Sequence, residues 1–187
     1  YMDNNVNVMI FAYKWLVYGG KCEDMLFVSI RTGARVIPII NNQPVRGTCG
    51  YSGELGHVKV SGGSRICSCG RYGCLNSEIS DVAIVNKIID GIKVGRFREI
   101  AEAVQGDMDK VTMMSFINSV REGHADSLKL LDQVKGFIAD ILSMLVNIFA
   151  PRKIVLFGEL AELGDILLDG VRAVSYTHLR AHETLSD

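Results

Sequence analysis

His57, Cys67, Cys69 and Cys74 fall within residues 57–74, and this cluster constrains the chain more than any other feature. Three thiolates and one imidazole make a tetrahedral Cys3His set, the ligand composition of a closed structural zinc site. Glycines at 62, 63, 70 and 73 let the backbone fold back tightly enough for the sulfurs to face one point. Cys67 and Cys69 are too close in sequence for an unstrained disulfide, so a bridge within the cluster is not expected. A set of four protein ligands leaves no open position, so the expected zinc is structural rather than catalytic. The plain alternative is three unrelated loop thiols and a strand histidine bonded to backbone; ligand number and spacing weigh against it. Cys22 and Cys49 stand apart and read as buried small hydrophobes.

Before the cluster, Asp3 can cap a helix running from about Asn4 to Tyr18, where Gly19-Gly20 ends it. Met25–Ile30 and Val36–Ile40 are short β-branched runs, with Asn41-Asn42 as a turn signal, so 25–47 reads as a small antiparallel sheet. Residues 47–56 read as a loop leading to a strand over His57–Val60. After the cluster the period turns helical. Val82, Val85, Ile88 and Ile89 mark one helix, Phe97 to Val104 a second, and Met113 to Val120 a third. The longest runs from Ala125 to Phe149. Its residues Leu128, Leu131, Val134, Ile138, Ile141, Leu145 and Ile148 step by three and four and predict one continuous buried stripe. Pro151 stops it. Lys153–Phe157 then reads as a strand, and Leu160–Ala173 as a last amphipathic helix entered through Gly158. The expected class is mixed α/β.

The residues around the cluster carry a family resemblance. Gly53-Glu54-Leu55-Gly56-His57, followed by Cys67-Ser-Cys69-Gly-Arg-Tyr-Gly-Cys74-Leu75, resembles the signature of the ROK family of repressors and sugar kinases. Asp3-Asn4-Asn5 sits where that family carries an Asn-Asp-x-Asn segment, Phe27–Gly47 resembles its glycine-rich strand pair, and 150–165 its late strand-turn-helix. The resemblance spans about residues 2 to 173. It implies an actin-like ATPase (ribonuclease H-like) lobe, with a mixed sheet, flanking helices and a zinc loop over 57–74. What is present resembles the C-terminal lobe, with the other lobe and any DNA-binding domain expected elsewhere in a longer protein. Carried over by position, the resemblance implies that Asp3 contacts a sugar hydroxyl and acts as general base in kinase members. It implies that Asn5 and Glu54 bind sugar hydroxyls, and that His57 offers one ring nitrogen to zinc and the other to the sugar. Cys67, Cys69 and Cys74 complete the metal shell. Asn76 stands where the family has a sugar-contacting Glu, and Glu78 is a candidate to compensate for it. For Asp3 a plain helix cap is the competing reading, and for Glu54 a solvated loop carboxylate.

Departures from the family pattern separate regulator from kinase. Kinase members carry a glycine-rich turn whose bare amides cradle phosphate; this chain has Arg31-Thr32-Gly33-Ala34-Arg35 there. Side chains at those places block close backbone approach. Glu159 follows Gly158 where the family has a triple-glycine nucleotide contact, and Met2 replaces the Asn before Asp3. Features on the ligand and zinc side survive better than those on the nucleotide side. The expected function is therefore the sugar-binding effector lobe of a carbohydrate-responsive transcriptional regulator. The alternative is an ATP-dependent sugar kinase using ATP and Mg, with Asp3 as base.

Composition limits the partners. Of 187 residues, 48% are hydrophobic and 22% charged, and the formal net charge is −1, so no basic footprint for nucleic acid appears in this segment. The expected ligand is a mono- or amino-sugar, with DNA reached through a domain outside this segment, a homo-oligomer as the assembly, and no membrane partner. The most apolar stretch, 138–150, is too short to span a bilayer, and no signal-peptide pattern opens the chain, so a cytoplasmic protein is expected. Residues 174–187 break the helical pattern and read as a translated cloning adaptor, so His178 and His182 are not taken as ligands.

Overall fold

A computed structural model describes residues 24–48 and 52–171. The helix expected over 4–18, together with Asp3, Asn5, Cys22, Cys49 and the 174–187 segment, lies outside these residues.

Four strands form one mixed sheet in the order β3-β2-β1-β4. β1 (Met25–Ile30) and β2 (Ala34–Ile40) pair antiparallel from Met25 opposite Ile39 to Ile30 opposite Ala34. Asn41 and Asn42, both at positive φ, turn the chain into the short β3 (Gln43–Pro44). β4 (Lys153–Phe157) lies parallel to β1 on its other side. All six residues of β1 are buried, as expected of a central strand covered on both faces. Leu26, Val28 and Ile30 join Ala34 and Val36 in the core shared with the helices. Met25, Phe27, Ile37 and Ile39 form a second cluster on the opposite face, with Val155 and Phe157 packed against it.

The helices follow the apolar spacing. α1 (Leu75–Ile79) is a single turn that the periodicity did not announce, because only Leu75 and Ile79 among its residues are apolar. α2 (Asp81–Lys93) is capped by Ser80, whose hydroxyl accepts from the Ala83 amide. α3 (Arg98–Ala103) is followed by α4 (Met113–Arg121), which starts in a reciprocal Thr112/Ser115 capping box. α5 spans Ala125–Phe149, with the bounds that the spacing predicts. Its stripe is buried from Leu131 to Leu145 but emerges at both ends, with Leu128 and Ile148 exposed. A helix longer than the core it covers must leave its ends in solvent.

Two further expectations are corrected. Residues 55–57 form a 3-10 turn rather than the start of a strand, and of the run that follows only Lys59 makes a β-bridge, to Cys74. The chain is already bending towards the cysteines there. The last helix does not begin at 160: Glu159–Leu163 is a 3-10 turn, Gly164 adopts a positive φ, and the helix starts at 165.

Candidate metal centre and adjoining polar site

The loop after the 3-10 turn doubles back on itself, bridging Lys59 to Cys74 and Ile66 to Tyr72. Val60 donates its amide to the Gly73 carbonyl, Gly73 donates to Arg65, and Leu75 donates to Val58, each at 2.9 Å. Gly63 and Gly73 lie backbone to backbone, so a Cβ on either would overlap the other. These contacts carry Cys74 back beside His57.

The four expected ligands meet. The ligand atoms of His57, Cys67, Cys69 and Cys74 all lie within 4.8 Å of one another. Cys67 Sγ is 3.6 Å from His57 Nδ1, and Cys69 Sγ is 3.6 Å from Cys74 Sγ. Tetrahedral zinc with bonds of about 2.3 Å to sulfur and 2.0 Å to nitrogen needs edges of about 3.5–3.8 Å. The donor set and spacing therefore fit a metal ion. Cys67 and Cys74 are buried and Cys69 is exposed. Burial pushes the Cys74 thiol up to about 11, whereas the Arg71 amide, then its guanidinium, draw Cys69 down to about 6. Arg71 also donates Nη2 to the His57 carbonyl, closing the loop over the histidine.

Glu54 precedes the 3-10 turn, with a half-exposed side chain, and its Oε1 lies 3.5 Å from Nε of the buried Arg35. Asn76 Oδ1 accepts from the Ala34 amide at 2.7 Å, and a Cβ on Gly56 would overlap the Asn76 side-chain amide. Asn76 thus joins the β1–β2 turn to the turn carrying His57. It also lines a cavity of about 480 Å3 whose wall mixes hydroxyls and amides (Thr32, Ser77, Asn86) with Arg65, Ile66 and Val82; neither Glu54 nor His57 lines it.

Glu78 does something else. Its Oε1 accepts from the amides of Ser64 and Arg65, and its Oε2 pairs with Lys87 Nζ at 2.7 Å. Burial pushes its carboxyl up, but Lys87 and the two amides outweigh burial and hold it below the usual carboxylate range. Both oxygens of Glu78 are spent on clamping the metal loop to α2. Sequence spacing alone offered no signal for this, since its partners come from the loop before it and the helix after it.

A second polar group gathers where β1 and β4 end. Gly158 packs so closely that a Cβ would overlap the Ile30 carbonyl, and the Asp81 amide donates to the Arg31 carbonyl at 2.9 Å. Burial and then the Glu159 charge push the Asp81 carboxyl up to about 6, with Arg31 opposing. Asp81 Oδ1 is buried without a hydrogen-bond partner, the one such side-chain atom among the described residues.

Known proteins resemble the chain throughout. The family model described as "ROK family" matches residues 1–187. The chain is 29% identical over 174 residues to the xylose repressor of Caldicellulosiruptor bescii, covering 93% of this chain and 43% of that protein. It is 26% identical over 175 residues to a glucokinase of Halalkalibacterium halodurans, covering 91% and 52%. The crystal structure of a ROK family transcriptional regulator, a homolog of the Escherichia coli MLC protein, superposes with a TM-score of 0.80 at 20% identity. That match covers 94% of this chain and 43% of the other. The chain spans about half the length of these curated relatives. Among the described residues, no helix is long and apolar enough to cross a membrane.

Proposed function

The chain belongs to the ROK family, and on that premise we propose that it is the sugar-binding effector lobe of a carbohydrate-responsive transcriptional regulator, stabilised by zinc. The observation that carries this reading is the contrast between the two polar groups. The loop bearing Glu54 and His57 is held by a fitting metal-ligand set, while the ends of β1 and β4 present Asp81 and Glu159. A nucleotide's phosphates, approaching where the family resemblance puts them, would meet two carboxylates and the side chains of Arg31, Ala34 and Arg35 instead of bare amides. Carboxylates repel phosphate, and side chains prevent close backbone approach.

His57, Cys67, Cys69 and Cys74 would hold the zinc, which supplies structural cross-linking and no open coordination position. With Nδ1 of His57 turned towards Cys67, Nε2 is the ring nitrogen left for a ligand hydroxyl, its orientation fixed by the ring's other contact. Glu54 accepts from sugar hydroxyls, and Asp3 and Asn5 supply further polar contacts. Asn76 Oδ1 already accepts from the Ala34 amide, so its amide nitrogen and the remaining lone pair of Oδ1 are what it offers a sugar. Binding of a mono- or amino-sugar favours one arrangement of this lobe against the rest of the protein, which changes how a DNA-binding domain outside this segment is presented. DNA would not be gripped by this segment, which carries no net basic charge. A homo-oligomer fits such a regulator.

A sugar kinase using ATP and Mg, with Asp3 as general base, is the second reading, favoured by the glucokinase likeness. Calorimetry and coupled ATP-turnover assays on the full-length protein with xylose, glucose and N-acetylglucosamine separate the two. The regulator reading expects saturable binding of one sugar and no sugar-dependent turnover. Turnover at rates on the order of 1 per second or faster would establish the kinase instead.

A further inference from the structure

Arg35 is an unusual residue for its place. It sits near the start of β2, opposite Ser29 of the central strand, and is 7% exposed. A buried guanidinium is costly unless its charge is paired and its N–H groups have acceptors. Its Nε and Nη2 both lie 3.4 Å from the Ser52 carbonyl, and its Nε lies 3.5 Å from Glu54 Oε1. The same loop is held to β2 by backbone, because the Val36 amide donates to the Gly53 carbonyl at 2.8 Å. Gly53 packs so tightly that a Cβ would overlap the Val36 carbonyl. The strand, the guanidinium and the loop therefore form one rigid unit with the Glu54 carboxylate at its open end.

The two members of this pair differ in exposure. The Arg35 side chain is 9% exposed and that of Glu54 49%. A glutamate on an open loop ordinarily samples many rotamers, and a ligand that uses it must restrain them. Here a buried cation restrains one carboxylate oxygen before any ligand arrives, while the side chain as a whole stays half exposed. We propose that Arg35 is a positioning residue of the sugar site, holding Glu54 as a preset acceptor for hydroxyls of an uncharged sugar. The inference rests on the sugar-binding reading above. Because the charge of Arg35 is matched by Glu54, the unit presents acceptor oxygen rather than positive charge, which suits a neutral sugar better than a phosphorylated one. Arg35 replaces backbone that the family resemblance expects to be glycine, so one substitution both crowds a phosphate turn and steadies a sugar contact.

The test is a double-mutant cycle in the full-length protein, with calorimetric titration of xylose, glucose and N-acetylglucosamine, and with metal content and thermal unfolding measured in parallel. R35M is expected to weaken binding of the bound sugar about tenfold, the loss of one preset side chain, with metal content unchanged. R35K keeps the charge but loses the planar fork, and is expected to recover part of the affinity. In an E54Q background, R35M is expected to add less than about twofold, because its action runs through the carboxylate. Equal weakening by R35M in both backgrounds, or no weakening, overturns the positioning role while leaving sugar binding intact. If R35M does not fold, R35K with and without E54Q decides by the same comparison. If the wild type binds none of the three sugars, or E54Q binds as well as wild type, the sugar-site reading fails and this inference fails with it.

Discussion

The metal loop and the junction where β1 and β4 end are both built from close backbone approaches, yet they treat polar groups in opposite ways. In the loop, Glu78 satisfies the Ser64 and Arg65 amides and pairs with Lys87, and Asn76 satisfies the Ala34 amide. At the junction, Asp81 keeps a buried oxygen without a partner and faces the charge of Glu159. A region whose polar groups answer one another is rigid before anything binds. A region where one buried carboxylate oxygen lacks a partner and a second carboxylate lies beside it stores repulsion that Arg31 offsets only in part, and it favours a phosphate less. Pre-formed pairing is thus concentrated beside the turn that carries Glu54 and His57 rather than at the junction.

The sharpest break of that contrast is to remove a metal ligand. Cys74→Ser removes one of the two buried thiols, leaves a three-ligand set and should abolish stoichiometric zinc. Because metal binding is folding energy in such loops, stability should fall by several kcal/mol or more. Elemental analysis and chemical denaturation check both parts; a variant of unchanged stability would remove the metal from the account of the fold. Glu78→Ala comes next. It strips two loop amides of their acceptor and Lys87 of its carboxylate, leaving Lys87 the residue-78 backbone carbonyl, at a cost of about 3–5 kcal/mol, and should speed zinc loss to a chelator. A cost below about 1 kcal/mol would mean that the clamp is ornamental.

Gly56→Ala is a smaller disturbance in the same loop. The new methyl would displace the Asn76 amide and break its bond to Ala34, costing about 1–3 kcal/mol, visible as a lowered melting temperature. Asp81→Asn works on the other region and in the other direction. The folded state holds the Asp81 proton more tightly than the unfolded chain, whose carboxyl titrates near 3.8, since the folded value is about 6. Stability should therefore fall as pH rises from about 4 to 6 and level off above. Asp81→Asn should flatten that slope and stabilise the protein at neutral pH by about 1 kcal/mol, discounted because the group is partly open to solvent. Melting temperatures across this pH range measure it. An unchanged slope would show that the junction is not frustrated.

Much of the architecture was legible in the residues. The bounds of α5, β4 and β1 agree with their apolar runs, while β2 begins at Ala34, ahead of the run expected from Val36. The metal-ligand set was legible too, because Cys and His side chains at that spacing have few other uses. The strand expected at 57–60 was not there, since the period of His57–Val60 cannot report that Lys59 alone would find a partner. The 3-10 entry at 159–163 was hidden by a helical pattern that Gly164 interrupts.

Side-chain chemistry divides the same way. By itself the sequence determined which residues could ligate a metal, which faces are apolar, and that Glu54 lies three residues before His57. Only the tertiary structure decided which of the polar groups are already spent. Asn76 is bonded to a residue 42 positions away, Glu78 is consumed by its loop and helix, and Arg35 reaches Glu54 across a strand-to-loop contact. Periodicity reports how each residue is buried on average, a local property of the chain. Hydrogen-bond partners are chosen among groups that folding brings together from distant positions, and no local pattern carries that information.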